Sequence, residues 1–230
     1  YGKHIFVGKR FFSNFNFTVL DEARVSIGDD CFIGPNVSIY TACHSTDPVE
    51  RNTRREWAEP VTIGDNCWIG GSSTILPGVT IGDNVTIREC VTINRGTKAS
   101  GKCVTKIGSN TLLMSYVHVA HDCEVGSHCI LVSFVGIAGE TVVDDWAILG
   151  GGSKAHQFSK IGCHAMVGGM SKINKDIPPY VLCGRDPICY SGVNIVGLRR
   201  RGFSSEVVRN IKDIYDTIYF SGYNITDGCA

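Results

Sequence analysis

The sequence carries no excess of either charge, no long hydrophobic run and no paired cysteine motif. Its 22 basic and 22 acidic side chains cancel over 230 residues. That balance argues against a dedicated nucleic-acid binder, which shows a basic excess. A hydrophobic content of 43% excludes a disordered polar chain. The longest nearly apolar run, Cys129 to Gly139, is well short of the roughly 18 residues of a membrane helix, so no membrane span is expected. The chain opens on Tyr1, with no charged-then-apolar leader behind it. It therefore reads as cytoplasmic, without a signal peptide, and as a chain that starts inside a longer protein. None of the 11 cysteines forms a C-x-x-C pair, so zinc and redox motifs are absent and no metal site is expected. These thiols read as reduced, buried, small apolar residues.

Glycine, by contrast, is abundant: 27 residues, well above the usual ~7%. That points to many tight turns rather than a helical bundle. The chain also repeats every six residues. Hexads open at Ile27, Ile33 and Ile39, run from Ile63 to Ile93, and run again from Ile107 to Ile173. Every opening position except Ala155 is Ile, Val or Leu. Small residues favour the second and fifth positions, and Cys31, Cys43, Cys67, Cys123 and Cys129 all hold the fifth.

No helix has this period, and the turn signals come too often for a sandwich. The period fits a prism in which each hexad forms one flat side, about four strand residues and a two-residue corner. Three hexads close a coil. The hexads give about seven coils, stacked ~4.8 Å apart, and residues 5–26 could add another.

The prism is expected over residues 1–179, with polar loops at 45–60 and 97–106 thrown out from a corner. Residues 180–230 read as an extended linker and a C-terminal helical region. Ser204 opens a helix there, and Val207, Val208, Ile211, Ile214, Tyr215 and Ile218 give it an apolar face that ends at Gly222. Such a helix would cap the open end of the solenoid, where strand edges are exposed.

His121 and Asp122 sit in YVHVAHDCEVG, beside His118. His121 is at a corner position of its hexad. The coil-equivalent hexads stack Gly139-Glu140 and His156-Gln157 along the same corner, with His156 two coils, roughly 10 Å, away. Imidazoles, a carboxylate, an amide and glycine N–H groups on one edge suit a general base and an oxyanion site. The same residues would also serve as a solvated surface. His44, beside Asp47 at the start of the first loop, is a second candidate base or a plain loop residue. Arg185, Arg199, Arg200 and Arg201 suit phosphate or an acidic protein surface, or form a solvated turn.

The hexads and motifs together resemble the left-handed parallel β-helix acyltransferases. Residues 87–222 are similar to the UDP-N-acetylglucosamine O-acyltransferase family of lipid A synthesis, in IRECVTINRGT, HVAHDCEVG, AHQFSKIG, DIPPYV, GVNIVGLRRRGF and IYFSG. Residues 1–85 are similar to the maltose and galactoside O-acetyltransferases, in FFSNFN, IGPNVSIYTACHSTDPVER and PVTIGDNCWIGGSSTILPGVTIGDN. The join, engineered or natural, falls inside perfect hexads, so the prism continues through it.

The resemblance implies an all-β fold, a left-handed parallel β-helix (a hexapeptide-repeat solenoid) with a short C-terminal α-helical cap. The first family implies transfer of a 3-hydroxyacyl group from acyl carrier protein to the 3-hydroxyl of UDP-N-acetylglucosamine. His121 would be its general base, Asp122 the base's support, and Gly139 the oxyanion donor. His118, His156, Gln157 and Asn194 would line the substrate cleft, Gly169 would mark acyl length, and Arg200 and Arg201 would meet phosphates or the carrier protein. This chain has Glu140 where that family has a His, Val196 where it has a Glu, and lacks its uridine-sugar loop. The second family implies a sugar O-acetyltransferase using acetyl-coenzyme A, with His44 as base, Asn14 positioning the acceptor and Trp68 lining the coenzyme channel. An inactive structural solenoid is a third reading. Both families imply a homotrimer with no bound cofactor or metal, the acyl thioester being a substrate.

Overall fold

In the computed structural model, which describes residues 1–97 and 100–222, the hexads wall a triangular prism with three parallel sheets. Two sheets have eight strands and the third has ten. Ile5–Val7, Phe12–Ser13 and Thr18–Leu20 supply the added N-terminal coil. Strands are two or three residues long, as in Trp68–Ile69 and Val79–Ile81. They are shorter than the four residues expected because the turn at each corner takes up the rest of the hexad.

The aliphatic residue that opens a hexad ends its strand and points inward. Ile69 pairs with Ile33 below and Ile87 above, and all three are buried. The fifth-position cysteines are buried beside this column. Their thiols donate to backbone carbonyls of the next coil, Cys31 to Gly64 and Cys123 to Ala138, each at 3.1 Å.

Each corner between consecutive hexads turns through a fourth-position residue with left-handed φ, among them Asn84 (55°), Tyr116 (62°), Phe134 (64°) and Trp146 (65°), while the corners that release the insertions, at Ala42 and Gly96, do not. For a residue with a side chain this costs about 1 kcal/mol or more. Contacts between coils offset it. Asn66 donates to Asn84 at 2.8 Å, the Tyr116 and Phe134 rings stack at 5.0 Å, and His128 stacks on Trp146 at 4.0 Å.

Equivalent corner residues are 18 apart in sequence between plain coils. The step lengthens to 36 across the first insertion and 26 across the second, yet strand pairing continues unbroken. Both insertions leave the prism after the third face, so both project from the same corner.

The first is an ordered arm. Ala42–His44 pairs antiparallel with Glu56–Ala58, and a one-turn helix, α1 (Pro48–Asn52), sits between them, capped by the Asp47 carboxylate. The second ends earlier than residue 106, because the prism restarts with Thr105–Ile107. Its base closes tightly on Gly96, where a Cβ would lie 2.1 Å from the Cys103 carbonyl carbon.

Beyond Ile173, Val181–Gly184 extends the second sheet and pairs antiparallel with Cys189–Val193. Residues 195–200, expected to be extended, form a second helix, α2 (Ile195–Arg200). The local reason is Asn194, whose side chain accepts the Gly197 N–H at 3.1 Å and so caps the first turn. The third helix, α3 (Ser205–Phe220), is capped by Ser204 as expected. It buries Val208 and Tyr215 against the prism end, with Ile211 and Ile218 packed beside them. Val207 and Ile214, assigned to the same face by spacing, face solvent. The Tyr215 hydroxyl donates to the Pro179 carbonyl at 2.7 Å and fixes α3 on the last coil. No helix among the described residues is long and apolar enough to cross a membrane.

Leu131 is fully buried in the centre of the prism. Leu131→Ala should lower stability by about 2–5 kcal/mol, read as a shift in the urea midpoint with the native far-UV dichroism unchanged.

Candidate active site at the third corner

The third corner follows the strands His118–Val119, Gly136–Ile137 and Lys154–Ala155, which pair in register. It places His121, Gly139 and Gln157 at the same position in successive coils. The His121 ring lies flat against Gly139, where a Cβ would fall 2.3 Å from ring atoms Cε1 and Nε2. Only glycine leaves room for the imidazole there. Among the described residues no protein group accepts the Gly139 N–H.

His121 Nδ1 lies 3.0 Å from Asp122 Oδ2. A carboxylate only accepts, so Nδ1 carries the proton and Nε2 presents a lone pair. The side chain of His121 is 36% exposed while that of Asp122 is fully buried, so the imidazole faces outward from a sealed support.

The seal is the second insertion. The Thr97 N–H donates to both Asp122 oxygens at 3.0 Å, and the Thr97 hydroxyl donates at 2.7 Å. The Asp122 N–H donates to Thr105 Oγ1 at 2.9 Å. Burial pushes the Asp122 carboxyl up, but hydrogen bonds from Ser100, Thr97 and His121 outweigh it and hold the group below its ordinary value. It is therefore an anion at neutral pH. Thr97 and Ser100 were not singled out in sequence; the only signal was an insertion entering beside the histidine.

His118 stands on the adjoining face, its Nδ1 2.7 Å from Thr92 Oγ1. Burial, and then the charge of Lys154, push its pKa down, so the ring is neutral at pH 7. His156 and Gln157 border a groove of about 360 Å³ with Lys154 and Lys172, a cationic surface beside the histidine. Glu140 occupies the corner position above Asp122, with φ 59°.

Other candidates lie elsewhere on the prism. Gly169 is at the second corner, where a Cβ would lie 3.1 Å from the Gly151 carbonyl oxygen. Beside it an apolar groove of about 560 Å³ runs past Val132, Phe134 and Met170. Asn194 is buried, caps α2 and donates to the His164 carbonyl at the first corner. Arg201 is also turned inward, donating to the Trp146 carbonyl at 2.8 Å with its guanidinium over the Trp146 ring; Arg200 is exposed on α2.

His44 projects on the arm, 3.7 Å from Glu56. Asn14 is at the second corner, and Trp68 is on the second face under Arg88. Within one chain these three do not meet. Among the described residues no group of three or more His, Cys, Asp or Glu is placed to hold a metal ion.

Comparison with known proteins agrees with this architecture. Residues 176–230 match the second domain of the UDP-N-acetylglucosamine O-acyltransferase family. Residues 60–95 and 105–139 match the bacterial transferase hexapeptide repeat, and residues 24–42 the hexapeptide repeat of succinyl-transferase. A relative from Janthinobacterium sp. (strain Marseille), an acyl-acyl-carrier-protein–UDP-N-acetylglucosamine O-acyltransferase, is 42% identical over 66% of this chain and 56% of its own length. The chain thus spans little more than half of the curated relatives it matches.

A solved UDP-N-acetylglucosamine acyltransferase from Bacteroides fragilis is 37% identical, with a TM-score of 0.81 over 98% of this chain and 85% of that one. The left-handed parallel β-helix expected from the resemblance is therefore shared through both halves. A perosamine N-acetyltransferase from Caulobacter crescentus, solved with CoA and GDP-perosamine, matches 56% of this chain and 57% of its own, at 26% identity and a TM-score of 0.50. It hints at the sugar-acetyltransferase likeness of one segment.

The buried hydrogen bonds to Asp122 make stability depend on pH. A carboxyl held below its unfolded value contributes fully above the unfolded pKa, and the contribution is lost as pH falls through the folded pKa. Thr97→Val removes one donor and raises the folded pKa. Thermal unfolding followed from about pH 7 to about pH 3 should show the variant losing stability at a higher pH than the wild type.

Proposed function

Because this chain belongs to the UDP-N-acetylglucosamine O-acyltransferase family of hexapeptide-repeat proteins, we propose that it moves a 3-hydroxyacyl group from acyl carrier protein to the 3-hydroxyl of UDP-N-acetylglucosamine, a step of lipid A biosynthesis in the cytoplasm. The observation that carries the reading is the His121–Asp122 pair laid over Gly139.

His121 Nε2 takes the proton of the sugar 3-hydroxyl, and the oxygen attacks the thioester carbonyl carbon. The carbonyl oxygen gains the negative charge and is held by the Gly139 N–H. The tetrahedral intermediate collapses, the C–S bond breaks, and the imidazolium returns its proton to the departing thiolate. Asp122 stabilises the imidazolium without taking its proton. General base catalysis of this kind contributes about 10²–10⁴-fold, and a single oxyanion donor a further ~10²–10³. No bound cofactor takes part, because the donor arrives as a thioester.

His118, neutral and beside the base, lines the cleft with His156 and Gln157, and the cationic groove at Lys154 and Lys172 suits the anionic substrates. Gly169 and the apolar groove beside Met170 suit the acyl chain. Arg200, exposed at the end of α2, suits the acidic carrier protein. Asn194 and Arg201 support the first corner, on which α2 rests. In this reading residues 1–179 are the catalytic prism and 180–230 its capping region.

A homotrimer is supported by the second face. Its outward column carries Phe32, Trp68, Thr86, Leu112, Ile130, Ile148 and Met166, apolar at every position but Thr86. The corresponding outward positions of the other faces include Lys106, Glu124 and Lys160, or His118, Lys154 and Lys172. An apolar outer face of this length calls for a partner surface, and packing prisms along it would bring residues from different corners into one cleft.

Product mass spectrometry with UDP-N-acetylglucosamine and 3-hydroxyacyl carrier protein should give the acylated UDP-sugar. His121→Ala should reduce turnover at least ~100-fold, while His44→Ala leaves it unchanged. Acetylated maltose from acetyl-coenzyme A, lost in His44→Ala and kept in His121→Ala, would move the site to the arm and overturn the reading. Sedimentation should give three times the 24.9 kDa chain mass, and Ile148→Asp should shift it to the single chain.

A further inference from the structure

Resting on that reading, we infer that Arg95, held by Trp57 of the arm, is a recognition residue for the diphosphate of the acceptor. Arg95 occupies the same hexad position as His121, one coil toward the N-terminus. Ile93 pairs with Val119, and the Asn94 N–H donates to the Val119 carbonyl at 2.8 Å. The two backbones are thus about one strand spacing apart, ~4.8 Å. Among the described residues the Arg95 guanidinium has no carboxylate partner and donates no hydrogen bond. Other arginines are differently placed: Arg10 pairs with Asp30, Arg88 with Glu89, and Arg201 with backbone and imidazole.

What does touch Arg95 is an indole. Its guanidinium carbon lies 5.6 Å from the centre of the Trp57 ring. Trp57 belongs to the strand Glu56–Ala58 of the arm, which leaves the prism at the coil of Ile39. That coil lies two steps below Arg95, through the pairings Ile39 with Ile75 and Ile75 with Ile93. The arm therefore leans along the third corner toward the base. The indole face orients the guanidinium by a cation–π contact that leaves its N–H edges unused. A half-buried, oriented and unneutralised guanidinium is suited to bidentate contact with phosphate oxygens. Its place beside the base fits an acceptor whose sugar hydroxyl is at His121 and whose diphosphate lies along the corner toward the arm. On this chain the arm supplies the acceptor wall, and Trp57 acts through Arg95 as a positioning residue.

The test is calorimetric titration with UDP and with uridine, paired with acylation kinetics. UDP should bind the wild-type protein at least ten-fold more tightly than Arg95→Gln, with Trp57→Ala between them, while uridine does not distinguish the three. The KM for UDP-N-acetylglucosamine should rise at least ten-fold in Arg95→Gln, with a smaller change in kcat, and Arg95→Lys should recover part of the loss. Equal UDP affinity in wild type and Arg95→Gln, or no UDP binding by the wild type, overturns the inference. Loss of UDP binding in Arg95→Gln with no acylated sugar from any protein would leave the diphosphate site standing and sink the acyltransferase reading instead. Matching thermal midpoints separate a lost contact from a misfolded variant.

Discussion

The prism depends on one backbone constraint: where one hexad runs directly into the next, the chain must turn a corner through a left-handed φ. Glycine satisfies it at no steric cost at Gly78 and Gly152, but at most corners this chain places a residue with a side chain, among them Asn, Asp, His, Tyr, Phe and Trp. Several of these residues then stack on or bond to their counterparts in the next coil, Tyr116 on Phe134, His128 on Trp146 and Asn66 to Asn84. The corner thus converts a local conformational cost into a ladder of contacts along the prism edge. The same geometry sets the catalytic candidates. Asp122 is itself a left-handed corner residue, φ 60°, and its turned backbone carries the carboxylate back beneath the ring of the residue before it.

The core was legible because its signal is a repeated column rather than a scattered set. Ile69 is buried for the same reason as Ile33 and Ile87, and one reading of the period assigned all three. The His121 corner was legible by the same arithmetic, since coil-equivalent hexads must align. Helix α2 was not, because its start depends on one Asn194 side chain folding over Gly197, in a stretch whose glycines read as extended chain. The Thr97–Asp122 network was equally hidden: the partners are 25 residues apart, and nothing in the period says that an insertion folds back over its own corner.

Arginines show the same limit from the other side. Arg200 and Arg201 are neighbours in sequence and looked equivalent. In the fold Arg200 is exposed at the end of α2, while Arg201 spends its donors on the Trp146 carbonyl and the His164 imidazole. Which arginine stays available is decided by which coil edge lies beside it, and sequence spacing carries no information on that.

The unbroken pairing across both insertions separates the register of the coils from the length of chain between them. The sheets close beneath the arm and the second loop as if neither were present, although Thr97 of the second loop still reaches in to the buried Asp122 carboxylate. The third corner is thus a splice port, at which 18 or 8 extra residues enter while the coils above and below keep their register. Chain length at the arm can therefore change without shifting the strand register of the coils on either side of it, and a new loop can be carried on a scaffold that has no need to change with it.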